Sequence, residues 1–179
     1  YGWWSVHRQD GSCLNRPSDY HEELPEAREK FHLTYRGVEA AIQKVEDHIA
    51  AHGPFDVILG FSQGAILTSV LTAHALERQR RGGAGPSWHM NVLVCALLPR
   101  DRRWIDLMDA QPVDFPASVV VGQRDRFYED GKRLAGLYVA PQFHEHPGGH
   151  DFPAAKEATH AEWVRALRTR LELDGTPGA

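Results

Sequence analysis

A serine hydroxyl attacks well only where one group removes its proton and another stabilises the charge that the attack creates. Gly60-Phe61-Ser62-Gln63-Gly64 offers such a serine. It stands between the apolar run Val57-Ile58-Leu59 and an apolar-rich stretch beginning at Ala65, the strand-to-helix context that gives a G-x-S-x-G pentapeptide its meaning. The expectation is that both glycines remove Cβ atoms that would crowd a sharp turn, leaving Ser62 displayed at the edge of a sheet. The amide of Gln63, at the N-terminus of the next helix, would then point at a developing oxyanion.

A base and a carboxylate to orient it should lie downstream, on loops after later strands, in the order serine, acid, histidine. Asp125 follows the buried run Ala117 to Val121 through Gly122-Gln123-Arg124, just past the end of a strand. Asp130 is its nearby competitor, placed where it could equally cap the next helix. Among 11 histidines, His150 follows a strand through Pro147-Gly148-Gly149, a turn able to carry an imidazole over the sheet edge. His144 and His146 alternate along that strand and share one face, which predicts partial exposure and no part in the chemistry. The string from His144 to Asp151 also suggests zinc ligands, but its spacing fits no zinc signature, and neither metal nor cofactor is expected. A histidine base should make activity fall below about pH 6 to 7.

These groups need a frame, and hydropathy supplies one. Val38, Ala41, Ile42, Val45 and Ile49 form a helical stripe that Gly53 and Pro54 end. Phe55 to Leu59, Asn91 to Leu98 and Ala117 to Val121 are short apolar runs of the kind buried on both faces of a parallel sheet, with a weaker fourth strand over Gln142 to His146. Helices are predicted over Ala65 to Arg80, Arg102 to Ala110 and Gly131 to Leu137, and a last one carries Trp163, Val164, Leu167 and Leu171 on one face. Strict alternation of strand and helix predicts a parallel sheet covered on both faces, because parallel strands need crossovers and helices usually supply them. Residues 1–35 read as an irregular cap and 36–173 as the core of a single domain. Trp3 and Trp4 either line an acyl pocket or simply pack.

The totals narrow the function. Twenty basic and 24 acidic residues, mixed along the chain for a net charge of -4, make no broad positive field for a nucleic acid backbone. No apolar run reaches the roughly 20 residues of a membrane helix. Cys13 and Cys95 are the two cysteines, far apart, so a disulfide framework is not implied and a reducing, cytoplasmic setting is expected. Cys95, inside an apolar strand, reads as a small buried hydrophobe.

Gly53-Pro54-Phe55-Asp56 through Gly60-Phe61-Ser62-Gln63-Gly64-Ala65, joined to Gly122-Gln123-Arg124-Asp125 and Gly148-Gly149-His150-Asp151-Phe152-Pro153, resembles the family serine hydrolases, a group of small eukaryotic α/β-hydrolases. Acyl-protein thioesterases share a similar Gly-Phe-Ser-Gln-Gly core. The resemblance implies an α/β-hydrolase fold and cofactor-free cleavage of small carboxylic esters or thioesters. It matches Ser62, Asp125 and His150 to the family's triad; Gln63, Phe61, Trp3 and Trp4 are the residues expected at the oxyanion and substrate positions. The alternative is an interaction module of the same fold with little catalytic power. Family members look as if they begin with a strand ending in Leu-His-Gly, whose loop supplies a second oxyanion donor. The chain starting at Tyr1 is therefore expected to be a fragment, with Val57, Ile58 and Leu59 on an open apolar edge. Cys95-Ala96 stands where members often look like Ser-Gly.

Overall fold

The computed structural model describes residues 2–14 and 33–174. Its frame is a four-stranded parallel sheet formed by Val57–Phe61 (β4), Met90–Val94 (β5), Ala117–Gly122 (β6) and Gln142–His146 (β7), side by side in that order. The crossovers carry Gln63–Arg80 (α2) after β4, Arg102–Ala110 (α3) after β5 and Tyr128–Ala135 (α4) after β6. Val38–His52 (α1) precedes the sheet and Ala158–Asp174 (α5) follows it. The parallel strands and alternating helices agree with the sequence pattern.

Period-two alternation explains why both faces are apolar. Leu93, Val119 and Val121 pack with Ala65, Met108 and Leu134, whereas Val92, Val94 and Val120 pack with Trp163 of α5. Two interleaved sets of β-branched and leucine side chains thus hold helices on opposite faces, each fully buried side chain stabilising by about 1.5–3 kcal/mol. Helix α2 is buried almost without interruption from Ala65 to Ala73. Its polar residues survive there because each hydroxyl donates one turn back: Thr68 to the Gly64 carbonyl (3.0 Å), Ser69 to Ala65 (3.0 Å) and Thr72 to Thr68 (2.7 Å). Buried Asn91 in β5 ties this helix to the sheet, its amide donating to Thr72 Oγ1 at 2.8 Å and accepting from Trp88 Nε1 at 2.9 Å.

Several boundaries differ from the sequence reading. The strand expected over Phe55 to Leu59 runs two residues later, because Gly60 and Phe61 still pair with Leu93 and Val94. The strand expected to reach Leu98 stops at Val94, since Cys95 turns into the left-handed region at φ 49°. The short helix expected over Gly131 to Leu137 begins at Tyr128, where Glu129 and Asp130 suit the positive end of its dipole.

Residues 1–35 are not wholly irregular. Ser5–His7 (β1), Cys13–Leu14 (β2) and Thr34–Arg36 (β3) make a small antiparallel sheet in the order β2-β1-β3. Strands this short show no sustained periodicity, so the pattern was invisible; residues 1 and 15–32 of that segment lie outside the described residues. Val6, Leu14 and Tyr35 bury one face against α1 and α2. The Tyr35 amide donates to the buried Asp101 carboxylate at 2.8 Å, and Arg103 binds the same carboxylate at 2.8 Å and the Tyr35 carbonyl at 3.0 Å. Asp101 also caps α3 by accepting from the Arg103 amide, so one carboxylate fastens the small sheet to the chain leaving β5. Strand β4 pairs only with β5 among the described residues; of the three residues expected on an open apolar edge, Leu59 is 52% exposed, whereas Val57 and Ile58 are partly buried against the core. Among the described residues no helix is long and apolar enough to cross a membrane.

Candidate active site

Ser62 sits at the tight junction of β4 and α2. Its backbone is forced to φ 53° and ψ -118°, and its amide donates to the Val94 carbonyl of β5 at 3.0 Å. Its own carbonyl opens α2 by accepting from Ala65 and Ile66. A non-glycine residue at positive φ costs on the order of 1–3 kcal/mol and persists only where its surroundings enforce it. Here the helix doubles back on the strand: a Cβ on Gly60 would lie 2.4 Å from the Gly64 carbonyl oxygen. Gly64 behaves differently from expectation, for a Cβ there would meet nothing closer than Trp3 Nε1 at 3.6 Å. Only the first glycine of the pentapeptide is sterically required.

Asp125 closes a turn after β6, its amide donating to the Gly122 carbonyl at 2.9 Å. One carboxylate oxygen accepts the Phe127 amide at 2.9 Å, and the other lies 2.7 Å from His150 Nδ1. Burial alone would raise this carboxyl, but the hydrogen bonds from His150 and the Phe127 amide outweigh it and hold the group below the ordinary carboxylate range. An ionised carboxylate can only accept, so the Nδ1 proton belongs to His150 and Nε2 is left as an acceptor. That nitrogen is 2.9 Å from Ser62 Oγ. The acid and base loops are laced together: the Arg124 amide donates to Gly148 at 2.9 Å and its guanidinium to Pro147 at 2.7 Å. A Cβ on Gly122 would collide with the Gly149 carbonyl oxygen at 2.1 Å, which shows how closely the loops approach. The His150 ring lies between Phe61 (5.2 Å) and Phe127 (5.6 Å).

Beside Ser62 and His150 opens a cavity of about 640 Å³ with Trp4, Leu14, Tyr35, Ile66, Leu98 and Phe127 in its walls. The small sheet therefore forms one side of the site, and Trp4 both lines the cavity and stacks toward Tyr35 at 5.2 Å. Trp3 does not reach it. That ring, 46% exposed, borders a separate cavity of about 600 Å³ along β4, with Leu59 and Leu71. The Gln63 side chain is occupied in holding this segment, accepting from the Trp3 amide at 2.7 Å and donating to the Trp4 carbonyl at 3.4 Å. Its backbone N–H, on the first residue of α2, belongs to the turn that lacks intrahelical acceptors.

A profile of the serine hydrolase (FSH1) family matches residues 1–161. The chain belongs to this family. It is 28% identical over 168 residues to Esterase OVCA2 of Xenopus tropicalis, covering 90% of this chain and 64% of that protein. With Esterase OVCA2 of Homo sapiens it shares 31% identity over 158 residues, covering 86% and 62% respectively. The chain thus spans a little under two thirds of the length of these two relatives. Among solved structures it is similar to human thioesterase 2, with a TM-score of 0.51 at 14% identity, covering 79% of this chain and 83% of that one. The fold is that of the α/β-hydrolases.

Seen within this family, some expectations change. Asp130 is no rival to Asp125: it lies buried in α4, 3.5 Å from Arg100. His146 is not partly exposed but buried, its Nδ1 accepting from the Gly148 amide at 3.2 Å, because α5 covers that face of β7. His144 is half-buried, and burial lowers its pKa while Glu162 opposes the shift. The string from His144 to Asp151 contributes only His150 to a cluster of potential ligand atoms, which it shares with Asp125 and Cys95 within 4.8 Å. Burial and the Asp125 charge push the Cys95 thiol up to about 12. Cys95 and Phe127 are the site neighbours that sequence reasoning missed. The available signal was position: Cys95 follows the C-terminal end of β5 and Phe127 that of β6, the edge where parallel sheets place their sites.

Proposed function

We propose that the protein hydrolyses small carboxylic esters or thioesters through an acyl-enzyme on Ser62. The observation that carries this reading is the continuous hydrogen-bonded chain from Ser62 Oγ to His150 Nε2 (2.9 Å) and from His150 Nδ1 to the Asp125 carboxylate (2.7 Å), at the mouth of an apolar cavity. His150 takes the Ser62 proton as Oγ bonds to the substrate carbonyl carbon, and Asp125 stabilises the imidazolium that results. The oxyanion faces the N–H of Gln63 at the start of α2. Collapse of the tetrahedral intermediate breaks the bond to the leaving alcohol or thiol, which receives the proton from His150. Water then adds with His150 again as base, releasing the carboxylic acid and restoring Ser62. Walls formed by Trp4, Leu14 and Ile66 suit an apolar acyl group. The names of the relatives, Esterase OVCA2, and of the structural neighbour, a thioesterase, agree with this class.

The deciding experiment exposes the chain and its Ser62→Ala variant to a fluorophosphonate and maps adducts by peptide mass spectrometry. The expected result is a single adduct on Ser62, together with a loss of about 10⁴-fold or more in ester turnover for the variant. A folded wild-type chain that forms no adduct overturns the proposal and favours an interaction module of the same fold.

A further inference from the structure

The nucleophile strand is not the only one to end in a left-handed residue. At the end of β5, Cys95 adopts φ 49° while its amide still pairs with the Val120 carbonyl at 2.8 Å. A β5 that simply continued would send this side chain to the face opposite Val94. The turn instead brings the fully buried sulfur behind the Ser62–His150–Asp125 chain, where Sγ donates to the Asp151 carbonyl at 3.2 Å. Asp151 directly follows His150, so the contact holds the loop that carries the imidazole. The same sulfur lies within 4.8 Å of the nearest Asp125 and His150 polar atoms. Cys95 shares its buried cluster with Val92, Val94, Val120 and Trp163.

We propose that Cys95 is a positioning residue for the reaction: its thiol braces the His150 loop from beneath and sets the imidazole between Asp125 and Ser62. This rests on the catalytic reading given above. The group is suited to the task because burial and the nearby Asp125 charge raise its pKa to about 12, so it stays an S–H donor throughout the range in which an esterase works. A small apolar residue would fill the same space without anchoring Asp151. A backbone held at positive φ for a non-glycine residue is itself a cost that a mere filler would not require.

The test compares wild type, Cys95→Ala, Cys95→Ser and Cys95→Gly by kcat and KM on a p-nitrophenyl ester across pH, and by the proton NMR signal of the His150 Nδ1–H. Cys95→Gly suits the positive φ and covers the case in which Cys95→Ala does not fold. Cys95→Ala and Cys95→Gly, which keep no side-chain donor, are expected to lose about tenfold in kcat, the equivalent of one hydrogen bond, with KM within about twofold. Their Nδ1–H signal is expected to shift or broaden, and Cys95→Ser, which keeps a donor, to recover most of the loss. Cys95→Ala and Cys95→Gly with wild-type kcat, pH profile and Nδ1–H signal overturn the proposal. So does a folded Cys95→Ser as slow as Cys95→Ala. If the wild type shows no Ser62-dependent turnover, the catalytic reading fails, and the Nδ1–H signal alone still decides whether Cys95 positions His150.

Discussion

The ends of β4 and β5 lie side by side, and each turns through a left-handed residue: Ser62 at φ 53° and Cys95 at φ 49°, the two non-glycine residues with positive φ among those described. Their fates are opposite. Ser62 shows its hydroxyl to the cavity and to His150, whereas Cys95 is fully buried behind the same histidine loop. The path of the chain beyond each turn explains the difference. After Ser62 the chain enters α2 at once, and the helix doubles back so tightly that Gly60 cannot carry a side chain. After Cys95 the chain runs on without a helix to Asp101, where it meets the small sheet, so its turn re-aims a side chain without forcing a reversal. One backbone device at equal height on the sheet thus presents a hydroxyl in front and a thiol behind.

The largest expected effect breaks the β4 end. Gly60→Ala must move backbone, because the obstructing atom is a carbonyl oxygen, and it should destabilise by about 3 kcal/mol and abolish fluorophosphonate labelling. Denaturant melts and labelling check both, and a stable, fully labelled variant would show that the elbow has slack.

The next largest concerns the carboxylates beyond β5 and β6. Burial would raise Asp101, but Arg103 and the Tyr35 amide outweigh it, and both Asp101 and Asp125 are held below the ordinary carboxylate range. A native carboxyl with a depressed pKa binds fewer protons than the unfolded one as the pH falls. Its stabilisation is therefore full above the unfolded value and begins to be lost below about pH 5, disappearing as the native groups protonate. Asp101→Asn should cost about 1.5–3 kcal/mol near neutrality, typical of hydrogen bonds to a charged group, and should flatten the acid limb of stability against pH. Urea midpoints at several pH values between neutrality and acid would reveal parallel curves if Asp101 contributed nothing.

The smallest effect sharpens the contrast within the elbow itself. Gly64 lies in α2, with ordinary contact distance to its nearest neighbour, so Gly64→Ala should fold at least as well as wild type, gaining up to about 1 kcal/mol of helix propensity. A thermal melt of this variant beside Gly60→Ala tests whether the two glycines differ as the geometry requires.

Much of the frame was legible because it depends on neighbours along the chain. Val57-Ile58-Leu59, the β5 run and Ala117 to Val121 are apolar on both faces whatever surrounds them, and the stripes of α1 and α5 follow from a 3.6-residue period. Ser62 stood out because strand, glycine, serine and helix are consecutive. Asp125 and His150 were legible as candidates from their place after the third and fourth strands of the parallel sheet. Strand ends were harder: β5 looks apolar as far as Leu98, and nothing local announces that Cys95 turns away.

By itself, then, the sequence determined the order of the parallel strands and their helices, the two-faced burial of that sheet and the elbow around Ser62, because periodicity and turn chemistry act over a few residues. Tertiary structure alone decided which groups meet. The Ser62–His150 contact joins residues 88 apart, His150–Asp125 spans 25, and Cys95–Asp151 spans 56. It also decided that His146 is buried, that Trp4 and not Trp3 faces the cavity, and that Gly60 and not Gly64 is crowded. Each of these is a matter of distance through space between segments whose own local patterns are indifferent to it, and packing settles such distances only once the sheet has formed.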